Sequence, residues 1–213
     1  MTFIEELWQR GKSVLERMID HPFNQQLASG TLPEELFHCY LQQDQLYIRE
    51  YTQVLFTLLQ RTDDADLQQD LQRFATEGAQ FEQEMHQHFF TIYSIESAEA
   101  PLASCNLYAR FLRSCAEQES IAVALAALLP CFWFYHKVGQ SLLENSCQNN
   151  PYHAWIDTYS GTEFQQQVEK MQAHVEHFAA RSGPSEQQKM IDSFLASSLL
   201  ELCFWEAIYR RRT

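Results

Sequence analysis

Apolar residues recur along this chain with the three-to-four-residue period of amphipathic helices almost from end to end. Phe3, Leu7, Val14, Leu15 and Met18 form one stripe, and Thr2 stands where a capping hydroxyl belongs, so a first helix runs to about residue 19. His21-Pro22-Phe23 breaks the pattern, and a short segment follows it to Ser29-Gly30. Thr31-Leu32-Pro33-Glu34 is a strong start signal: Thr31 as cap, Pro33 in the early turn, Glu34 closing a capping box. From there to about residue 61, Leu36, Phe37, Tyr40, Leu41, Asp44, Tyr47, Ile48 and Tyr51 share one broad face. Thr62-Asp63-Asp64 opens a helix to about residue 95, residues 97–101 form a link, and helices follow over roughly 103–115 and 121–145. Gln148-Asn149-Asn150-Pro151 is a break; short helices then cover roughly 152–158 and 161–181, and a last one roughly 187–211. No internal repeat, low-complexity tract or domain linker interrupts the pattern, which predicts a single all-α domain over residues 1–213, a multi-helix bundle.

The 121–145 helix breaks the local rules. Residues 121–134 are apolar for 14 positions, until His136-Lys137, which is short of the roughly 18 residues of a membrane span and fits a buried core helix. Pro130 sits inside it, at a cost of roughly 3 kcal/mol, and leaves the Ala126 carbonyl without its usual donor, so a kink is expected. Cys131 follows the proline, and Tyr135 lies one turn further on the same face. Places where local rules fail often mark function.

Composition sharpens the picture. Only six glycines and six prolines in 213 residues argue against a turn-rich β fold. A net charge of −13 repels phosphate backbones, and Arg210-Arg211-Arg212 is too short a cluster to reverse it, so no nucleic acid is expected as a partner. The N-terminal residues lack the basic and apolar regions of a signal peptide, and no membrane partner is expected. The six cysteines show no C-x-x-C and no zinc or disulfide-scaffold spacing, which suits reduced thiols in a cytoplasmic protein.

Three polar constellations stand out on apolar faces. Asp44 and Tyr47 are i, i+3 partners; a carboxylate there serves a site or simply bonds a neighbouring tyrosine at a packing edge. Cys131 with Tyr135 is a candidate nucleophile, although free cysteines are commonly small buried hydrophobes. Glu201, with Phe204 one turn on, lies in an apolar helix; burial would raise its pKa and suit a proton shuttle, or it forms a structural pair with an arginine or tyrosine. Among the histidines, Glu82/His86 and Glu84/His88 are i, i+4 pairs that fit a metal cluster or, more plainly, a polar helix face. His174 and His177 have no obvious third ligand, and the Glu-x-x-His pairs on two helices of a di-iron bundle do not occur. No axial haem histidine, glycine-rich phosphate loop or Gly-x-Ser-x-Gly elbow is evident, so neither metal nor cofactor is expected.

Together these residues resemble the TenA family, the thiaminase II proteins, over nearly the whole chain. The ordered landmarks are His21-Pro22-Phe23, Gly30-Thr31-Leu32-Pro33, Leu41-Gln42-Gln43-Asp44 with Tyr47, and Ala126-Ala127-Leu128-Leu129-Pro130-Cys131-Phe132-Trp133 with Tyr135. Trp155-Ile156-Asp157-Thr158-Tyr159 and Glu201 through Phe204-Trp205 to Tyr209-Arg210 complete them. The resemblance implies a haem-oxygenase-like bundle without haem, assembled as a homotetramer. It implies a thiamin-salvage hydrolase that converts 4-amino-5-aminomethyl-2-methylpyrimidine to the hydroxymethyl pyrimidine and ammonia, with thiamin as a second substrate. By position it makes Cys131 the nucleophile, Glu201 the acid/base and Asp44 the carboxylate at the ring's polar edge. It makes Tyr47, Tyr108, Tyr135 and Tyr159 pocket phenols and Phe204 a stacking residue. The chain departs from the pattern at His136, where a tyrosine is common, and at Leu199-Leu200, where aromatics are common. Other readings are a non-catalytic thiamin or pyrimidine-binding protein, a regulator of gene expression, which the charge opposes, and a metal or haem oxygenase on the same fold.

Overall fold

The computed structural model describes residues 1–212, the side chains of residues 79, 81, 82 and 212 excepted, and among them helices are the only regular secondary structure. In chain order these are α1 (Phe3–Ile19), α2 (Pro22–Ser29), α3 (Glu34–Arg61), α4 (Ala65–Arg73) and α5 (Ala79–Tyr93). Then come α6 (Ala103–Gln118), α7 (Ile121–Asn145), α8 (His153–Ser160), α9 (Thr162–Ala180) and α10 (Pro184–Tyr209), with a 3₁₀ turn at Arg210–Arg212.

Helix α7 is apolar on every side and must be enclosed on every side. It packs against α1, α2, α6, α8, α9 and α10. By length and composition it is able to cross a membrane, yet 83% of its most apolar window is buried inside the bundle, so its apolarity is that of a core helix. Pro130 lies within the continuous helix. Just before it, Tyr51 on α3 donates its O–H to the Leu128 carbonyl at 3.1 Å, which ties α3 to α7 where the backbone ladder is weakened. Helix α3 packs on α4, α5, α6 and α10, so the space between α3 and α7 is floored by α6 and α10. Trp155 and Trp205 are fully buried in this core, where truncation of either would cost roughly 3–5 kcal/mol.

Several boundaries move for local reasons. Thr2 caps α1 as expected, and Glu5 completes a capping box with it. Thr31, in contrast, does not cap α3. Gly30, at φ 68°, closes α2 in the left-handed region, and the N–H groups of Thr31 and Leu32 both turn back to the Gln26 carbonyl. The Thr31 hydroxyl meets Ser29 Oγ at 2.8 Å, so α3 starts at Glu34 without a side-chain cap. Within Thr62-Asp63-Asp64, Asp64 caps the next helix by accepting the Leu67 N–H at 3.0 Å. That helix is not one continuous α-helix to residue 95, because a π-helical turn at Phe74–Gly78 separates α4 from α5. Helix α10 begins three residues earlier than expected, with Pro184 in its first turn, where the missing N–H costs nothing.

Candidate active site

A cleft of ≈ 560 Å³, open mouth included, lies between α3 and α7. Four of the residues expected from sequence line it: Asp44 from α3, Cys131 and Tyr135 from α7, and Tyr159 from α8. Its walls also include Tyr51 from α3, Phe74 and Gly78 from the π turn, and Phe164 and Gln167 from α9. The largely apolar, aromatic lining suits one flat heteroaromatic ring with a few polar edge atoms. The other four expected residues, Tyr47, Tyr108, Glu201 and Phe204, do not line the cleft; they are buried. Tyr47 stacks on Tyr108 with ring centroids 4.9 Å apart and leans on Phe204 at 6.4 Å.

The tyrosine wall is braced from outside. Gly139 lets α7 approach α8 closely: a Cβ there would lie 2.8 Å from the Ser160 nitrogen and the Tyr159 carbonyl carbon. One turn earlier, the buried His136 donates Nδ1–H to the Tyr159 carbonyl at 2.8 Å. Burial holds the His136 pKa below the usual imidazole range, so the ring is neutral and its donor stays fixed on that carbonyl. Trp155 packs on Tyr159 at 4.6 Å and Tyr135 on Tyr159 at 5.1 Å. The departure from the family pattern at His136 is therefore a structural support for a wall residue.

Asp44 is 2% exposed and has a basic partner. His86 on α5 donates Nε2–H to Asp44 Oδ2 at 2.9 Å, and both side chains are buried. The sequence pairs His86 with Glu82 on a polar face; Glu82's side chain, and with it that pairing, lies outside the described residues, and His86 bonds Asp44. His86 is thus a site residue that sequence reasoning missed. Met85 and Phe89, both buried beside it, were the available signal.

Glu201 is 1% exposed and has no basic partner among the described residues. Tyr108 donates its O–H to Glu201 Oε1 at 2.8 Å, and Ser197, one turn before Glu201 on α10, lies 2.8 Å from the same phenol oxygen. A phenol has one proton, so with Tyr108 donating to Glu201, Ser197 donates to Tyr108. Burial pushes the Glu201 pKa up to about 8, with the Tyr108 bond pulling it down and the Asp44 charge adding to the rise. Ser197 is a second residue missed from sequence, since a serine inside an apolar helix carries no distinctive signal.

The phenols of Tyr47, Tyr51, Tyr108 and Tyr135 are all pushed well above the ordinary tyrosine range, chiefly by burial and then by neighbouring acidic groups. They remain neutral donors at any physiological pH. Cys105, near Asp44 and Glu201, is pushed up to about 12, mainly by burial, and is an inert thiol; Cys131 is the half-buried thiol at the cleft. The cleft can therefore present a thiol and a carboxylate fixed by an imidazole to a bound ring, with a buried carboxyl group that holds its proton near neutral pH behind its wall.

The remaining candidate ligands are committed elsewhere. His174 and Lys170 on α9 bind Asp70 at 2.9 and 2.5 Å, and His177 lies 3.6 Å from Asp64. Among the described residues, no group of three or more His, Cys, Asp or Glu converges to hold a metal ion.

Comparison with known proteins places this geometry. A family model described as the TENA/THI-4/PQQC family matches residues 8–211. The thiamine biosynthesis multifunctional protein ThiED of Corynebacterium efficiens is 32% identical over 98% of this chain, which spans 28% of that protein's length. The aminopyrimidine aminohydrolase of Bacillus subtilis is 30% identical over 215 residues, covering 99% of this chain and 91% of that one. A solved TenA homologue from Pyrococcus furiosus superposes with a TM-score of 0.88 at 23% identity, over 97% of this chain and 100% of the other. The fold is the all-α, haem-oxygenase-like bundle that the sequence led us to expect.

Proposed function

The chain belongs to the TENA/THI-4/PQQC family, and from that premise we propose that it is an aminopyrimidine aminohydrolase of thiamin salvage. It converts 4-amino-5-aminomethyl-2-methylpyrimidine and water to the 5-hydroxymethyl pyrimidine and ammonia, and cleaves thiamin as a second substrate. One observation carries the reading. Asp44, Cys131, Tyr135 and Tyr159 line a single cleft, and Glu201, buried and protonated near neutrality, lies behind it on Tyr108, which stacks on Tyr47.

The chemistry follows from the placement. Asp44, held at Oδ2 by His86, presents its other oxygen to the ring's polar edge. The Cys131 thiol gives its proton to the ring nitrogen facing Asp44, and the thiolate adds to the electron-poor ring, forming a C–S bond. Glu201 protonates the departing amine as the exocyclic C–N bond breaks. It then takes a proton from the water that replaces the amine, and the C–S bond breaks to restore the aromatic ring and the thiol. Tyr47, Tyr108 and Phe204 back this wall, and Tyr135 and Tyr159 contact the ring. We further propose that residues 1–213 act as one helical domain in the cytoplasm and assemble as a homotetramer without a cofactor. Light scattering at the monomer mass of 25.0 kDa would overturn the assembly.

The deciding experiment measures ammonia release from the aminopyrimidine beside thiamin cleavage at equal concentrations, for the native chain and Cys131→Ser. Serine keeps the shape but is a far weaker nucleophile at neutral pH. Turnover should nearly vanish while pyrimidine binding persists. A variant with near-native rate would remove the covalent step from the mechanism.

A further inference from the structure

The ring cleft has a neighbour. A second, more polar cleft of ≈ 910 Å³ opens beside it, with Arg73, Glu77, Glu84, Glu163 and Lys170 around it. The two clefts share one residue, Gln167 of α9, and the π turn borders both, with Gly78 lining the inner one and Glu77 the outer. Gln167 is half-buried, and its side chain makes no hydrogen bond among the described residues, so no partner fixes its rotamer. Its Oε1 lies 3.2 Å from where a Cβ on Gly78 would stand, tighter than ordinary contact, so the glycine is what lets the amide lie against the turn.

The outer cleft has a charge preference. Its two cations are engaged: Lys170 Nζ lies 2.5 Å from Asp70, and Arg73 lies 3.7 Å from Glu77 and 4.0 Å from Asp70. Glu84 receives only a neutral amide, that of Gln80 at 3.0 Å, and Glu163 has no cationic partner among the described residues. Two uncompensated carboxylates leave the outer cleft favourable to a cation.

Resting on the hydrolase reading, we propose that Gln167 is the partition between a pyrimidine subsite and an outer subsite for the group leaving the aminomethyl carbon. Gln167 thereby sets the preference between a small amine and a bulky, cationic ring substituent such as the thiazolium of thiamin. A leaving amine is small enough to stay on the inner side with the partition in place. A thiazolium extends beyond it, so its binding requires the glutamine to swing aside, and it then meets the acidic outer cleft. Discrimination of this kind comes from shape, where a few heavy atoms change selectivity by roughly tenfold to a hundredfold.

The test compares the native chain with Gln167→Ala, which removes the partition, Gln167→Trp, which thickens it, and Gln167→Leu, which keeps its length without the amide. Dissociation constants by calorimetry and kcat/KM are measured for thiamin and for the aminopyrimidine, with circular dichroism to confirm folding. Alanine should raise the thiamin-to-aminopyrimidine ratio by roughly tenfold and tryptophan should lower it by a similar factor. Leucine should leave it unchanged. A ratio that ignores both alanine and tryptophan, or substrates that move together, overturns the partition. A native chain that binds but does not turn over removes the hydrolase reading alone, because the affinity ratio still reports on Gln167. A native chain that binds neither compound overturns both.

Discussion

Two buried carboxyl groups lie one at the cleft and one behind it, and the difference between them lies in their company rather than their depth. Asp44 and Glu201 are 2% and 1% exposed. Asp44 faces an imidazole at 2.9 Å, a partner able to carry the opposite charge. Glu201 faces a phenol backed by a serine, both neutral, and its pKa rises to about 8. Burial disfavours charge on Glu201, and a neighbour that supplies only a dipole does not offset it. One acid is thereby suited to holding a polar ring edge and the other to carrying a proton.

The strongest way to break this contrast is Glu201→Gln. Glutamine keeps the size but cannot shuttle a proton, so the rate should fall by roughly 10²–10⁴-fold. The native rate should decline above about pH 8 as the acid form is lost, and a pH–rate profile of the variant should lack that limb. If the limb survives, the proton shuttle belongs elsewhere, first of all to Asp44. The same substitution should stabilise the fold. A raised carboxyl pKa means that native stability is full below the ordinary value of 4.5 and is lost progressively as pH rises towards 8, because the unfolded chain releases a proton that the folded chain retains. Glutamine carries no such penalty, so melting curves should show a higher Tm at pH 8 and no gain at pH 4.

Asp44→Asn probes the other acid. Its expected effect is on binding, a roughly tenfold to hundredfold rise in KM for the pyrimidine, with the alkaline limb still present. A change confined to kcat would erase the division of labour. His86→Ala should act in the same direction and more weakly, by about fivefold in KM, and His86→Gln, which keeps a donor, should recover part of that loss.

The smallest expected effect is the most selective. Ser197→Ala removes the bond that polarises Tyr108 towards Glu201, so the ionised acid is less well solvated and the alkaline limb should move up by about half a pH unit. Ser198→Ala is the control: that hydroxyl is equally buried but bonds only the Phe194 carbonyl of its own helix. If both serines shift the profile alike, the Ser197 effect is one of packing.

The same physics governs how much could be read from the chain. Cys131, Asp44 and Glu201 are polar groups on otherwise apolar helical faces, and such conflicts show in sequence. Helix α7 was legible because fourteen consecutive apolar residues leave no other face to expose. His86 was hidden because Glu82, Glu84 and His88 around it suggested a polar face and its partner is 42 positions away. Thr31 misled because a threonine three residues before a glutamate fits a capping box equally well when its hydroxyl is spent on Ser29. Gln167 and Gly78 are unremarkable letters whose meaning arises only when α9 meets the π turn.

That turn makes the site sensitive to length as well as to chemistry. An α-helix rotates about 100° per residue, and the π turn accommodates one residue more than a regular turn does. The extra residue is absorbed in the turn, so α4 and α5 keep their faces in spite of it. Removing a residue there, Thr76 for instance, would let the turn close to a regular α-helix with the segment beyond it still in place, whereas inserting a further residue would rotate that segment by about that angle. Met85 and Phe89 would then leave the core, and His86 would swing off Asp44, although no residue of the cleft had been replaced. A one-codon insertion in a solvent-facing stretch, ordinarily among the milder changes a protein sustains, would here be as damaging as losing the imidazole itself.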